Sequence, residues 1–235
     1  MAGPLQSDIR NRLLAALSPE DFERVGRSLE HVELPFRQVL ARPGEPIRHV
    51  HFPDAGVVSV IASLQGGGRI EVGMIGRDNM VGIPVVLGAD TLPYECLVQI
   101  SGAGWRMDAQ ALREAMDCRA SIRGALLLGA MAFLAQVSQT AACNGAHRLA
   151  QRLARWLLMS HDRGDGDDLP LTQDLISTML GVRRSGVTVA AGAFQKAGLI
   201  RYAGGRIEIL NRAGLETVAC ECYGVVRAET DRLQP

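Results

Sequence analysis

The chain has 235 residues, with 25 basic against 25 acidic side chains, 47% hydrophobic and 21% charged residues. That length supports one or two domains with a real core, and that composition excludes global disorder. A net charge of zero excludes a uniformly basic, histone-like binder but leaves room for a local basic patch.

Residues 1–17 carry Asp8, Arg10 and Arg12 without an apolar run, so a signal peptide is not expected and the chain is read as cytoplasmic. Leu13, Leu14 and Leu17 are spaced as in a helix. Ser18-Pro19 then opens a second helix, with Ser18 as N-cap and Pro19 in the first turn. From about 32 to 107, short apolar runs alternate with Gly and Pro. The runs are 39–40, 50–52, 57–64, 70–75, 85–87 and 97–100; the breakers include Pro43-Gly44, 53–56, 66–68 and 102–104. This spacing predicts an antiparallel sandwich or barrel, with 66–68 as a hairpin tip and not a phosphate loop.

From residue 108 the period becomes helical. A short helix is expected over 108–116 and a long one over 118–142. No charged residue lies between Arg123 and Arg148, but the strongly apolar part covers only 124–135. A spanning helix needs about 20 apolar residues, so no membrane is expected. Leu127, Ala130, Leu134, Val137 and Ala141 follow the 3-4-3-4 spacing of a coiled-coil seam, and Leu126, Gly129 and Phe133 form a second apolar face. Either the helix is wholly a core helix, or one face packs on the β domain and the seam on a second copy. Asn144-Gly145 is expected to break the helix, and another amphipathic helix follows over 147–160.

The informative block begins at Leu171. Residues 171–180 read as a short helix with Thr172 as N-cap, ended by Gly181. Residues 183–197 read as a second helix, stopped by Gly198. Two short helices on a tight glycine turn make a helix-turn-helix. Its core would be Leu175, Met179, Leu180, Val182, Val187, Ala191 and Phe194. Ile200/Tyr202 and Ile207/Ile209 then alternate around Gly204-Gly205, a hairpin, so the whole is a winged helix. Between 171 and 212 six basic residues face only Asp174 and Glu208. Arg183, Arg184, Ser185 and Thr188 occupy the first turns of the second helix, which reach base edges in the major groove. Thr172, Gln173, Lys196, Arg201 and Arg206 complete the expected DNA-binding set, with the wing arginines on phosphate.

Taken in order, Pro43-Gly44-Glu45-x-Ile47, His51-Phe52-Pro53-x-x-Gly56, Gly73-x-x-Gly76 and the stretch from Leu171-Thr172-Gln173 through Gly181-Val182-Arg183-Arg184 resemble the Crp/Fnr family of bacterial transcription regulators. The resemblance covers essentially the whole chain. It implies an α+β protein with an N-terminal antiparallel, jelly-roll-like β-roll (1–116), a long dimerisation helix (117–145) and a C-terminal winged helix-turn-helix (146–235). It also implies a homodimer on double-stranded palindromic DNA, RNA polymerase as a further partner, and Arg184 as the base-reading arginine. Ser185 stands where many members carry Glu, and Val189 where some carry a second Arg.

Cyclic-nucleotide-binding members carry a Gly-Glu pair and, some ten residues on, an Arg followed by Ser or Thr. Here the stretch reads Met80-Val81-Gly82-Ile83-Pro84, then Leu92-Pro93-Tyr94-Glu95, with no Arg or Lys between Arg77 and Arg106. Cyclic AMP or GMP is therefore not expected, since phosphate recognition wants cationic donors or a helix N-terminus. The iron–sulfur branch needs clustered N-terminal cysteines, and the first one here is Cys96. His49-x-His51 with Asp54 resembles part of a cupin metal site but lacks the Glu and the later His. Cys143 and His147 are parted by the expected break at Asn144-Gly145, and the spacing of Cys220 and Cys222 puts them on different helix faces. No metal, cofactor or enzymatic activity is expected. The rival readings are a cupin-like metal-dependent enzyme on the barrel and a winged-helix protein-interaction module.

Overall fold

The structure, a computed structural model, describes residues 4–233. Two short helices, α1 (Arg12–Ala15) and α2 (Pro19–Gly26), open it, capped by the side chains of Asn11 and Ser18. Seven strands follow: β1 (Glu30–Leu34), β2 (Val39–Ala41), β3 (His49–Pro53), β4 (Val57–Ser63), β5 (Arg69–Ile75), β6 (Glu95–Ile100) and β7 (Gly102–Asp108). They form two antiparallel sheets, ordered β1-β7-β3 and β2-β6-β4-β5. The sequence 66–68 forms the β4–β5 hairpin tip, closed by the Leu64 amide on the Gly68 carbonyl.

Two local expectations for the roll need correction. The run 85–87 is no strand: Ile83–Val86 forms the one-turn helix α3, with Val85 and Val86 in the core. A short apolar run fits a strand or a buried helix alike, and periodicity does not separate them. The supposed breaker 102–104 lies inside β7, because the chain at Phe52–Ala55 passes so close that a Cβ on Gly102 would sit 2.1 Å from the Ala55 carbonyl oxygen.

Helices α4 (Ala109–Cys118) and α5 (Ala120–Ala146) lead away from the roll. Asn144-Gly145 does not break α5, which runs unbroken to Ala146. Both residues are exposed, and neither takes a positive φ. The ~1 kcal/mol cost of a helical glycine is small against the packing of the last turn. α5 is long and apolar enough to cross a membrane by length and composition. One of its faces is nonetheless keyed to the roll by polar groups. The Gln136 carboxamide accepts from the Met74 amide (2.7 Å) and donates to the Met74 carbonyl (3.0 Å), extending the β5 edge like a strand. Asn79 Nδ2 donates to the Gly129 carbonyl. A Cβ on Gly73 would meet the Phe133 ring at 2.7 Å, so glycine there sets how closely helix and sheet approach.

The remaining elements are α6 (Leu149–Arg163), β8 (Asp168–Leu169), α7 (Gln173–Leu180), α8 (Arg184–Lys196), β9 (Ile200–Ala203), β10 (Arg206–Ile209), α9 (Arg212–Val218) and α10 (Cys222–Leu233). They form no isolated module. Val57, Ile61, Met74 and Ile100 of the roll share one apolar core with Leu153, Leu157, Met179 and Phe194. Arg163 crosses from α6 to the roll, packs over Gly76 and pairs with Asp78, both largely buried.

Candidate nucleic-acid interface

α7 begins where Thr172 Oγ1 accepts from the Leu175 amide (3.2 Å) and ends at Gly181, whose φ of +64° turns the chain sharply into α8. Val187, Ala191 and Phe194 of α8 pack down onto Ile176, Met179 and Leu180. With that face buried, Arg184, Ser185, Thr188 and Val189 are left on the outside of the first two turns. Arg183, the N-cap, is exposed beside them. Lys196 lies twelve residues on from Arg184, about 18 Å along the axis, and so stands apart from this set.

The scaffold around the row is fixed by specific bonds. Thr188 Oγ1 donates to Gln173 Oε1 (2.7 Å), tying the second helix to the first turn of α7. The Tyr202 amide donates to Gln195 Oε1 (2.9 Å), and the Gln173 amide donates to the Tyr202 hydroxyl (3.3 Å). The wing β9–β10 is thereby held to both helices. The structure gives it a third strand that the sequence did not announce: β8 pairs with β10 at Leu169–Ile207 and Asp168–Glu208.

β8 also changes the electrostatics. Asp168 pairs with Arg206 at 2.7 Å, Glu208 pairs with Arg201, and Asp162 pairs with Arg212 at 2.6 Å. The charge excess counted along 171–212 therefore overstates the field at the wing. Arg184 is 65% exposed with Asp174 at 3.3 Å, a loose surface pair worth at most about 1 kcal/mol, which a base edge or phosphate can displace. Val189, 74% exposed, is the surface residue outside the expected set that faces the same way. Its signal in the sequence was the family resemblance, which sets Val189 where some members carry a second Arg.

The residues expected in a dimer seam do not all face outward. Leu127 and Leu134 are 42% and 57% exposed, and Ala141 is exposed. Ala130 is buried and Val137 packs into the roll's core beside Gly73. The outward stripe runs instead through Leu127, Met131, Leu134 and Ala141, with Leu128 beside it. Where a helix is apolar nearly all round, heptad spacing alone does not say which stripe the core takes.

The cupin-like trio does not assemble. Asp54 accepts from the Arg10 and Asn11 amides and from Trp105 Nε1. His49 is exposed. His51 is buried, and burial, with His49 and Arg106 nearby, pushes its pKa down to about 4, leaving it neutral.

Residues 151–218 match the Crp-like helix-turn-helix domain family. Over 82% of its length the chain shares the fold of FixK2 from Bradyrhizobium japonicum (TM-score 0.70, 16% identity, 98% of that chain covered). It also matches a putative Crp/Fnr-family regulator from Eubacterium rectale (0.66, 17%, 88% and 96%). The chain carries a Crp-like helix-turn-helix domain within a fold shared with Crp/Fnr-family regulators. TTHB099 of Thermus thermophilus, a Crp-family regulator, is a third such neighbour (0.65, 19%, 80% and 96%). No curated protein matches the chain in sequence. The stretch that the sequence resemblance sets against a cyclic nucleotide's phosphate and ribose contacts forms α3 and its flanks. There Met80, Val81, Val85 and Leu92 are all at most 3% exposed.

Proposed function

We propose that this DNA-binding transcription regulator acts as a homodimer on a palindromic site and binds DNA without cyclic AMP or GMP. The carrying observation is the α8 surface, where Arg184, Ser185, Thr188 and Val189 stand outward over a fully packed underside. A fork-shaped guanidinium suits guanine, hydroxyls suit bases or phosphates, and an apolar tip suits the thymine methyl. The exposed stripe of α5 supports the dimer, because large apolar residues in a row mark an association surface. A two-fold dimer places two α8 helices about 34 Å apart, one turn of DNA. Apolar packing around α3, with no cationic side chain between Arg77 and Arg106, supports independence from cyclic nucleotides. The bonds that saturate Asp54 favour this reading over a metal enzyme on the roll.

The test is selection of bound sequences from random duplex DNA, followed by variants. Arg184→Ala should cost about 1–3 kcal/mol on the selected site and relax one base position in each half-site. Leu134→Glu should weaken dimer and DNA binding together. A monomer that keeps full affinity refutes the dimer. Equal losses on specific and random DNA for Arg184→Ala refute base reading.

A further inference from the structure

We propose that Cys143, His147, Cys220 and Cys222 form a site for a single Zn2+ ion that fastens the C-terminal helix to the junction between α5 and α6. The four residues come from three places in the chain. Cys143 is in the last turn of α5, His147 is the residue just after it, and Cys220 and Cys222 straddle the start of α10.

Two features of the backbone bring them together. Because α5 continues through Asn144-Gly145, Cys143 and His147 are one turn apart, and the His147 amide donates to the Cys143 carbonyl at 3.0 Å. Because Cys220 precedes α10 and is not helical, the spacing of two does not send Cys220 and Cys222 to different faces. The expectation that it would do so is overturned by this non-helical turn, in which the Tyr223 amide donates to the Cys220 carbonyl at 3.1 Å.

One ligand atom from each residue, three sulfurs and an imidazole nitrogen, lies within 4.8 Å of every other. Cys143 Sγ and Cys220 Sγ are 3.5 Å apart, and Cys222 Sγ is 3.5 Å from His147 Nδ1. Around a tetrahedral Zn2+, with sulfurs at about 2.3 Å and nitrogen at about 2.0 Å, these separations would be about 3.8 and 3.5 Å. Small side-chain rotations meet that geometry.

The groups around the four also fit a metal. His147 Nε2 is 3.2 Å from Glu221 Oε1, so the carboxylate would hold the Nε2 proton and leave Nδ1 for the ion, an arrangement common behind metal-bound histidines. Gln139 Nε2 donates to Cys222 Sγ at 3.1 Å. All three thiols are at most 4% exposed, whereas the His147 side chain is 17% exposed and gives an entry path. Three thiolates and a neutral imidazole select a borderline-soft, tetrahedral ion over Mg2+ or Ca2+. On binding, the three thiol protons leave to solvent.

The experiment uses the full chain under reductant, stripped by a chelator, then titrated with Co2+ and Zn2+ in the absence of DNA. The expected result is one Co2+ per chain, with thiolate-to-cobalt charge transfer and tetrahedral visible bands, displaced by Zn2+. Cys222→Ser should lose these bands or bind at least tenfold more weakly, while Cys118→Ser, at an exposed cysteine outside the cluster, should match the parent. Glu221→Gln removes no ligand and should keep the bands while weakening Zn2+ about 10–100-fold. Absence of charge transfer in the parent, equal binding by Cys222→Ser, or a Cys143–Cys220 disulfide persisting under reductant overturns the site. None of these outcomes touches the reading of α8, since no DNA is present.

Discussion

The inside of the roll and its outer seam with the DNA-binding domain are built from different chemistry. Between the sheets lie Val50, Phe52, Met80, Val98 and Met107, each at most 2% exposed. At the seam lie Ser59, Glu71, Gln99, Arg155 and Arg163, also buried, at most 7% exposed, but polar or charged. Glu71 accepts from Ser59 Oγ (2.5 Å) and, across the domain boundary, from Trp156 Nε1 (2.8 Å). A titratable group, Glu71, thus sits where the roll meets the helices that follow α5. A dry interior is stiff, whereas a buried polar seam is sensitive to the loss of any one partner, since an unpaired polar group is costly there.

The largest expected effect comes from breaking the seam's ion pair. Arg163→Ala leaves Asp78 buried without its cation and should cost about 3–5 kcal/mol in urea unfolding. Adding Asp78→Asn to that variant should recover part of the loss. A double variant as unstable as the sum of both singles would show that the two side chains act independently.

Next in size is a pH effect. Burial pushes the Glu71 carboxyl up to about 7, against the hydrogen bonds from Ser59 and Trp156 and the nearby Arg163 and Arg155, which pull it down. The folded chain therefore holds a proton there that the unfolded chain releases near the ordinary value of 4.5. Its contribution is full below that value and is lost as pH rises through about 7. The loss is on the order of 3 kcal/mol, at about 1.4 kcal/mol per unit. Glu71→Gln keeps the bond from Trp156 on its oxygen, turns its NH2 as donor toward Ser59 Oγ, and should flatten this part of the stability–pH curve. An unchanged slope in that variant would assign the pH dependence elsewhere.

Smaller again is Gly73→Ala. The new methyl meets the Phe133 ring at 2.7 Å, and overpacking of this kind costs about 1–3 kcal/mol, read as a lowered Tm. The smallest expected effect is none. Calorimetric titration with cyclic AMP and cyclic GMP should give no heat and no gain in DNA affinity, and micromolar binding with such a gain would mean that the roll's interior opens.

The winged helix was legible in the sequence because its signals are local: the Thr172 cap, the left-handed Gly181, Val187 under the turn, and Gly204-Gly205 between alternating strands. Most strands of the roll were legible for the same reason. β1 was not, because it is a polar strand in which only Leu34 is fully buried, so no alternation marks it. β8 is two residues long and defined wholly by its pairing with β10. The cysteine cluster was out of reach because it joins residues some 75 positions apart, and because a sequence rule about Asn-Gly outweighed packing that only the tertiary structure supplies.

The apolar core shared by the roll and the DNA-binding helices has a consequence for dissection. A fragment cut at the end of α5 would lose Val57, Ile61, Met74 and Ile100 as neighbours and bare the side of α6 that carries Leu153 and Leu157. Such a piece would be sticky and partly melted. Swapping this headpiece onto a foreign sensor would demand that the recipient bring a matching outer sheet face, with a small residue at the position of Gly76, where Arg163 packs.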